Sequence, residues 1–458
     1  MRELEIPAEV QKYLDEAPPV VRDFVYFLLD RVKALQRSVE ALEARLRAYE
    51  NLHVPSSKRI IREPKPKKER KPLGAPKGHP GATRSHPNPD RVVSLEPKSC
   101  PKKGCGSKRI RVLRERRKVV EDIKTVRVTT EFRYYECECK RCGTRFVTSC
   151  EELPKEGNFG PNISSLWAAL HYLGTIPFAR LAQISESCFD MPVTPKGVRD
   201  AIYRVAGVFE PNFRQIWRRV KRAHYVRSDE TGYSLNGERW WVWNFSTPRD
   251  TLVLIRPSRG SQVLKEVFGE FLDAVMNSDC FKAYDRFRVR EYQKCWAHLL
   301  RDARDLAKHC EEGVELYRML QRMYGYIERV KREGRENSPA VRSWISRKKR
   351  RFSEWVDRNW GSKAVQNLTL RISKHRDSWF TCLKYGFVEP TNNASERDLR
   401  KLVLARKISG AHRSERGAHC REVMMSVVLT CQKRQQNPFE FIRSGIEIHN
   451  MDCFLRPP

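Results

Sequence analysis

Three acidic residues stand in settings that could do metal-assisted chemistry. Asp229 follows the run His224-Tyr225-Val226-Arg227-Ser228, Asp279 ends Ala274-Val275-Met276-Asn277-Ser278, and Glu396 opens a helical pattern in Asn392-Asn393-Ala394-Ser395-Glu396-Arg397. Carboxylates are hard oxygen ligands, and two divalent ions about 4 Å apart, with one carboxylate bridging, suit phosphoryl transfer. Taken singly, each acid is more simply a solvated turn residue or a helix cap. Three acids in matching contexts shift the balance toward one metal site.

The elements needed to gather them are legible nearby. Asn392, Asn393 and Ser395 offer acceptors suited to a helix start, and Leu399, Leu402 and Val403 follow as its apolar face. The Asp229 run reads as a short strand ending in acids and a turn, followed by strands at Arg239–Phe245 and Thr251–Ile255. A helix around Ser261–Phe271 and a buried strand ending at Asp279 come next. Three strands, a helix and a fourth strand beside the first is the ribonuclease-H-like order, which sets Asp229 and Asp279 side by side at one sheet edge. The catalytic α/β domain is therefore expected at 223–290 and 386–410, with a helical insertion, 291–385, looped out before Glu396. In the insertion, Cys295 and His298 are three apart with no second pair nearby, which predicts a packed helix, with Trp296 in the core. An amphipathic helical segment, 411–458, is expected to pack on the catalytic fold.

Upstream, Leu28, Val32, Leu35, Val39, Leu42, Leu46 and Tyr49 form a heptad seam. It predicts a coiled-coil dimerisation segment over 1–54, with a helix packed on its own chain as the alternative. Residues 55–90 form a basic Pro/Gly-rich linker, and Lys67, Lys68, Arg70 and Lys71 are candidate phosphate contacts. Cys100, Cys105, Cys139 and Cys142 make two knuckles, Cys-x4-Cys and Cys-x2-Cys, suited to a structural zinc within a ribbon over 91–152. Strands of that ribbon are expected at Thr125–Thr129 and Phe132–Tyr135. Residues 153–222 are helical, and Phe178–Val205 could hold a helix-turn-helix, with Thr194 capping its second helix.

The 458 residues carry 89 Lys and Arg against 56 Asp and Glu, a formal charge of +33. So large an excess fits a surface that tracks a polyanion, and nucleic acid is the leading partner. No apolar run approaches the roughly 18 residues of a membrane span, and no secretory signal opens the chain. The expectation is a soluble intracellular protein with no membrane partner and reduced thiols. The fold class is multidomain α+β: coiled coil, zinc ribbon, helical DNA-binding region, and a ribonuclease-H-like domain with a helical insertion.

Several motifs carry a more specific likeness. Asp229-Glu230-Thr231-Gly232, Ser278-Asp279 with Tyr284, Cys295-Trp296-Ala297-His298-Leu299 with Arg301, and Asn392-Asn393-x-x-Glu396-Arg397 with Arg406-Lys407 and Gly417 resemble the insertion sequence 66 family of prokaryotic transposases. The likeness extends to the zipper-like start, the basic linker at Gly78–Gly81 and the zinc-binding domain, although the first knuckle is two residues wider than the usual Cys-x2-Cys. It implies a cytoplasmic, nucleoid-associated enzyme that cleaves element ends and joins the freed 3′ hydroxyl to target DNA. The family's catalytic triad falls on Asp229, Asp279 and Glu396, which would hold two Mg2+ or Mn2+ ions, Asp229 bridging. Arg397, Arg400 and Lys401, and with them Arg406 and Lys407, would contact DNA phosphates. A homodimer or higher oligomer on DNA, and companion proteins of the same element, are further implications. A catalytically inactive DNA-binding regulator and a nuclease without strand transfer are the alternatives.

Overall fold

The computed structural model describes residues 8–50 and 88–454, apart from positions 97, 124, 149, 151, 155 and 411. Lys67, Lys68, Arg70 and Lys71 lie outside the described residues. The chain divides into two compact units, Met1–Asp122 and Ile123–Pro458.

In the first unit, α1 (Ala8–Asp15) is followed by α2 (Pro19–Glu50), a single 32-residue helix. Its seam residues Leu28, Val32, Leu35 and Val39 are all exposed, as are Phe24 and Phe27. Further on, Cys100 N–H donates to Ser107 O at 2.9 Å and Cys105 N–H to Lys102 O at 3.0 Å, closing a tight turn.

The second unit begins with a small hairpin of β1 (Glu136–Glu138) and β2 (Arg145–Val147), which pair antiparallel with Cys137 opposite Phe146. The strands expected at 125–129 and 132–135 do not form as such: Val126 and Val128 are exposed, and of the second run Tyr135 extends the hairpin by exchanging hydrogen bonds with Thr148. Alternating β-branched residues favour a strand only where a partner and a buried face exist.

Four helices come next: α3 (Pro161–Tyr172), α4 (Phe178–Phe189), α5 (Pro195–Val208) and α6 (Glu210–Lys221). Thr194 does cap α5, its side chain accepting from Gly197 N–H at 3.1 Å. The sheet then forms from β3 (Tyr225–Leu235), β4 (Glu238–Ser246), β5 (Thr251–Arg256), β6 (Phe271–Ser278) and β7 (Arg288–Lys294), with α7 (Gln262–Phe268) before β6 and α8 (Lys282–Asp285) after it. The strand order is β5-β4-β3-β6-β7. The first three strands are antiparallel, while β6 and β7 add in parallel beside β3, as the predicted order requires.

Two expectations about this sheet need correction. Strand β3 does not stop at the acids but runs on to Leu235, and the hairpin turn is Asn236-Gly237, both at positive φ. That dipeptide suits the left-handed positions of a two-residue hairpin. A fifth strand, β7, crosses the expected boundary at 290, so the helical insertion starts only at α9 (Trp296–Leu306). It continues through α10 (Glu311–Glu333), α11 (Pro339–Asp357), α12 (Lys363–Lys374) and α13 (Thr381–Lys384). The insertion builds its own core, centred on Trp296, Leu320, Phe352 and Trp379, seated on the sheet through Tyr225 and Val275.

After α14 (Asn393–Ser409) come α15 (Glu415–Lys433) and α16 (Pro438–Phe454). Helix α15 is not amphipathic: residues Gly417 to Cys431 are buried on nearly every side except at His419. It lies along the outer edge of β5. Thr430 Oγ1 accepts from Thr251 N–H at 3.1 Å, Ser426 Oγ from Val253 N–H at 2.9 Å, and Glu422 Oε1 from Ile255 N–H at 2.6 Å. Four helical residues rise about 6 Å and two strand residues about 6.8 Å, so side chains spaced by four meet alternate strand amides. The edge is thereby closed to further strands. Helices α3, α5 and α6, the sheet, α15 and α16 share one hydrophobic core, so the helical stretch 153–222 is a layer on the sheet, and the C-terminal segment packs on it as expected.

Candidate active site

Register brings the two aspartates together. In the parallel pair β3–β6, Tyr225 faces Val275 and Arg227 faces Asn277, an offset of 50 residues, and continuing it by two positions sets Asp229 level with Asp279. Each uses Oδ1 locally: that of Asp229 accepts from Glu230 N–H and that of Asp279 from Phe281 N–H, both at 2.9 Å. Burial first, then the charges of Glu230, Asp279 and Glu396, hold the Asp229 carboxyl well above the usual range, with only His298 opposing.

Glu396 reaches the same place from the first turn of α14. Its Oε1 is buried without a hydrogen-bond partner, 3.5 Å from His298 Nε2 and 3.6 Å from Arg301 Nη2. Burial works against the His298 proton. Cys295 beside it and the charges of Asp279 and Asp229 outweigh that and push its pKa up to about 10. His298 therefore stands as a cation among the acids, where the sequence pointed to a plain packed helix. The expectation held for Trp296, which is fully buried.

Glu230 is a fourth acid behind the edge. It pairs with Arg259 at 2.8 Å and accepts the Tyr284 hydroxyl at 2.6 Å. Burial and the charge of Asp279 raise its pKa to about 7, against the pull of Arg259.

Among the described residues, no three His, Cys, Asp or Glu side chains are gathered closely enough to hold a metal ion as they stand. The electrostatics of the edge nevertheless fit one. An orphaned buried oxygen on Glu396 and an aspartate whose charge is disfavoured by neighbouring carboxylates are the conditions a divalent cation relieves.

The expected DNA-contacting cations divide into two sets. Arg397, Arg400 and Lys407 are exposed on α14. Lys401 instead donates to Gln432, and Arg406 donates to the Gly232 carbonyl, bracing the acid-bearing strand. Of the cysteines, Cys139 and Cys142 form a compact knuckle beside the β1–β2 hairpin, Cys139 N–H donating to Thr144 O at 2.9 Å and Gly143 N–H to Cys139 O at 2.8 Å. Hydrogen bonds from Thr144 lead in lowering the Cys142 thiol, helped by Cys139. In the other knuckle Ser107, then Cys100, lowers that of Cys105.

A five-stranded mixed sheet, with Asp229 on its central strand and Asp279 just past the end of the neighbouring parallel strand, makes an α+β frame. Residues 156–420, more than half of the chain, match the family described as the transposase IS66 family, and the chain belongs to that family. It is also similar to the uncharacterized protein y4jO of Sinorhizobium fredii (strain NBRC 101917 / NGR234), with 29% identity over 152 residues. That match covers 32% of this chain and 46% of the relative, so the chain spans about half the length of the curated relative it matches.

Proposed function

We propose that the chain is a DNA transposase of the aspartate-aspartate-glutamate type, which cleaves the ends of an insertion element and joins the freed 3′ hydroxyls to target DNA. What supports this reading is the 50-residue register offset between β3 and β6, which runs toward Asp229 and Asp279, together with the charge interactions of Asp229 with Asp279 and Glu396. Asp229 and Asp279 hold the sheet side of the site and Glu396 its helix side. Two Mg2+ or Mn2+ ions bound there would supply charge neutralisation at the scissile phosphate and a water of lowered pKa.

The chain's own residues supply the rest. Arg397 and Arg400, exposed within a turn of Glu396, clamp the phosphates flanking the cut. His298 and Arg301 offer positive charge beside Glu396, where a phosphate approaching the acids needs compensation. Arg259 and Tyr284 hold Glu230 by an ion pair and a hydrogen bond.

Cys100, Cys105, Cys139 and Cys142 are read as zinc ligands from their spacing and from the turn geometry of each knuckle by itself. The exposed seam of α2 supports self-association on DNA. Among the described residues no helix is long and apolar enough to cross a membrane, and the proposed place of work is the cytoplasm, at the nucleoid. Companion proteins of the same element remain part of the proposal.

The test is a strand-transfer assay with labelled element ends and Mg2+ or Mn2+. Cleaved and joined products support a transposase. Binding without cleavage points to a DNA-binding regulator, and cleavage without joining to a nuclease.

A further inference from the structure

The insertion poses a problem that the triad alone does not solve. Residues Trp296 to Lys384 intervene between β7 and the segment leading to Glu396, so chain connectivity by itself leaves that helix free to settle at many registers. Three buried asparagines lie where the returning segment crosses the sheet. Asn392 Nδ2 donates to Ser228 O at 2.8 Å, in the strand position before Asp229. Asn277 Nδ2, two positions before Asp279, donates to Glu389 O at 2.9 Å and Thr391 O at 3.1 Å. Asn244, opposite Asp229 in the β3–β4 register, donates to Ser395 Oγ at 2.7 Å.

All three side chains are fully buried, and in all three Oδ1 has no partner. Nor does Asn392 cap α14, the role its position suggested, because its side chain makes no cap hydrogen bond. A single amide hydrogen bond adds only about 0.5–1.5 kcal/mol of net stability. Its contribution is directional: each NH2 ties a specific position of the returning segment to a specific position of the sheet.

We propose that Asn392, with Asn244 and Asn277, is a positioning residue that registers the start of α14 against the acid-bearing strands, and so sets Glu396 relative to Asp229 and Asp279. The inference rests on the triad reading above. Two backbone contacts complete the frame: Trp296 N–H donates to Pro390 O at 3.0 Å and Asn392 N–H to Cys295 Sγ at 3.1 Å. The helix carrying His298 and Arg301 is thus tied to the same crossing.

The experiment uses the full chain and Asn392→Asp, which keeps the shape but sets a carboxylate oxygen against the Ser228 carbonyl. Free Mn2+ is counted by electron paramagnetic resonance in the absence of DNA, alongside thermal unfolding, binding of labelled ends and cleavage. The expected result is Mn2+ affinity lower by roughly 10-fold and cleavage lower by about 100-fold, with end binding unchanged and a cooperative transition retained. Ser395→Ala, which removes only the Asn244 partner, is expected to shift both in the same direction by less, and it decides the matter if Asn392→Asp does not fold. Unchanged Mn2+ affinity and cleavage in the folded variant, while Glu396→Gln loses both, would overturn the proposal. If Glu396→Gln itself keeps both, the triad reading fails instead.

Discussion

Glu396 Oε1 lies 3.5 Å from His298 Nε2, joining the first turn of α14 to the first turn of the insertion. In the proposed reaction the contact would give the insertion a part. Positive charge on His298 or Arg301 would be available to Glu396 and to an incoming phosphate. Replacing His298 with Ala is expected to lower cleavage by roughly 100-fold, within the range for a positioned acid-base or electrostatic group. End binding should be unchanged, and single-turnover cleavage with a gel-shift control is the check. Full cleavage in the variant would make His298 a packing residue after all.

The closed edge of β5 has its own consequence. Glu422 is buried and accepts from Ile255 N–H and from Arg256 Nη1, both at 2.6 Å. Glu422→Ala leaves a buried strand amide unpaired and should cost about 1–3 kcal/mol in urea unfolding. Glu422→Gln keeps an acceptor and should recover part of that loss.

A buried cluster predicts acid sensitivity. Arg421 contacts His171 Nε2 at 3.3 Å and His412 Nε2 at 3.5 Å, with no carboxylate among its hydrogen-bond partners. Burial, then the Arg421 charge, depresses both histidines to about 3. The unfolded chain takes up these protons near pH 6.5 and the folded chain only near pH 3. Stability from this cluster is therefore full above about pH 6.5 and declines as pH falls toward 3, by at most about 1.4 kcal/mol per pH unit for each histidine. Glu230, raised to about 7, titrates with the opposite sign, so the check is a difference. Between pH 6.5 and 5, His171→Gln should lose less stability than the parent chain in urea melts.

Metal removal addresses the cysteines. The purified chain is expected to carry one zinc per protomer by elemental analysis, and Cys142→Ser to lose it. Hydrogen exchange should then quicken at Cys139 N–H and Gly143 N–H, which close the knuckle. A chain without zinc, exchanging normally at those amides, would remove the ribbon from the account.

Much of the sheet was legible because its strands are mostly buried and apolar on one or both faces, as in Thr251–Ile255, an edge strand covered by α15, and Ala274–Asn277. Strand β7 was not, since Arg288-Val289-Arg290-Glu291 is charged and partly exposed, as an edge permits. The run of β3 beyond the acids was hidden by Thr231-Gly232, which reads as a turn, although Asn236-Gly237 marked the true hairpin. The parallel neighbourhood of β3 and β6 was legible from the order of the strands, and their constant offset of 50 residues follows from that pairing. The role of His298 had no local signal: its partner arrives from beyond the insertion, and a Cys and a His three apart suggest nothing when considered alone. The asparagines of α14 were legible as a helix start, but their use as cross-sheet donors depends on tertiary contacts alone.

The central claim is that Asp229, Asp279 and Glu396 act as one site. The direct measurement is cleavage of labelled element ends in Mg2+ or Mn2+ by Asp229→Ala, Asp279→Ala and Glu396→Ala, each with its affinity for the ends determined in parallel. The account predicts that every one of the three abolishes cleavage while binding persists. Near-normal cleavage by any one of them would contradict it.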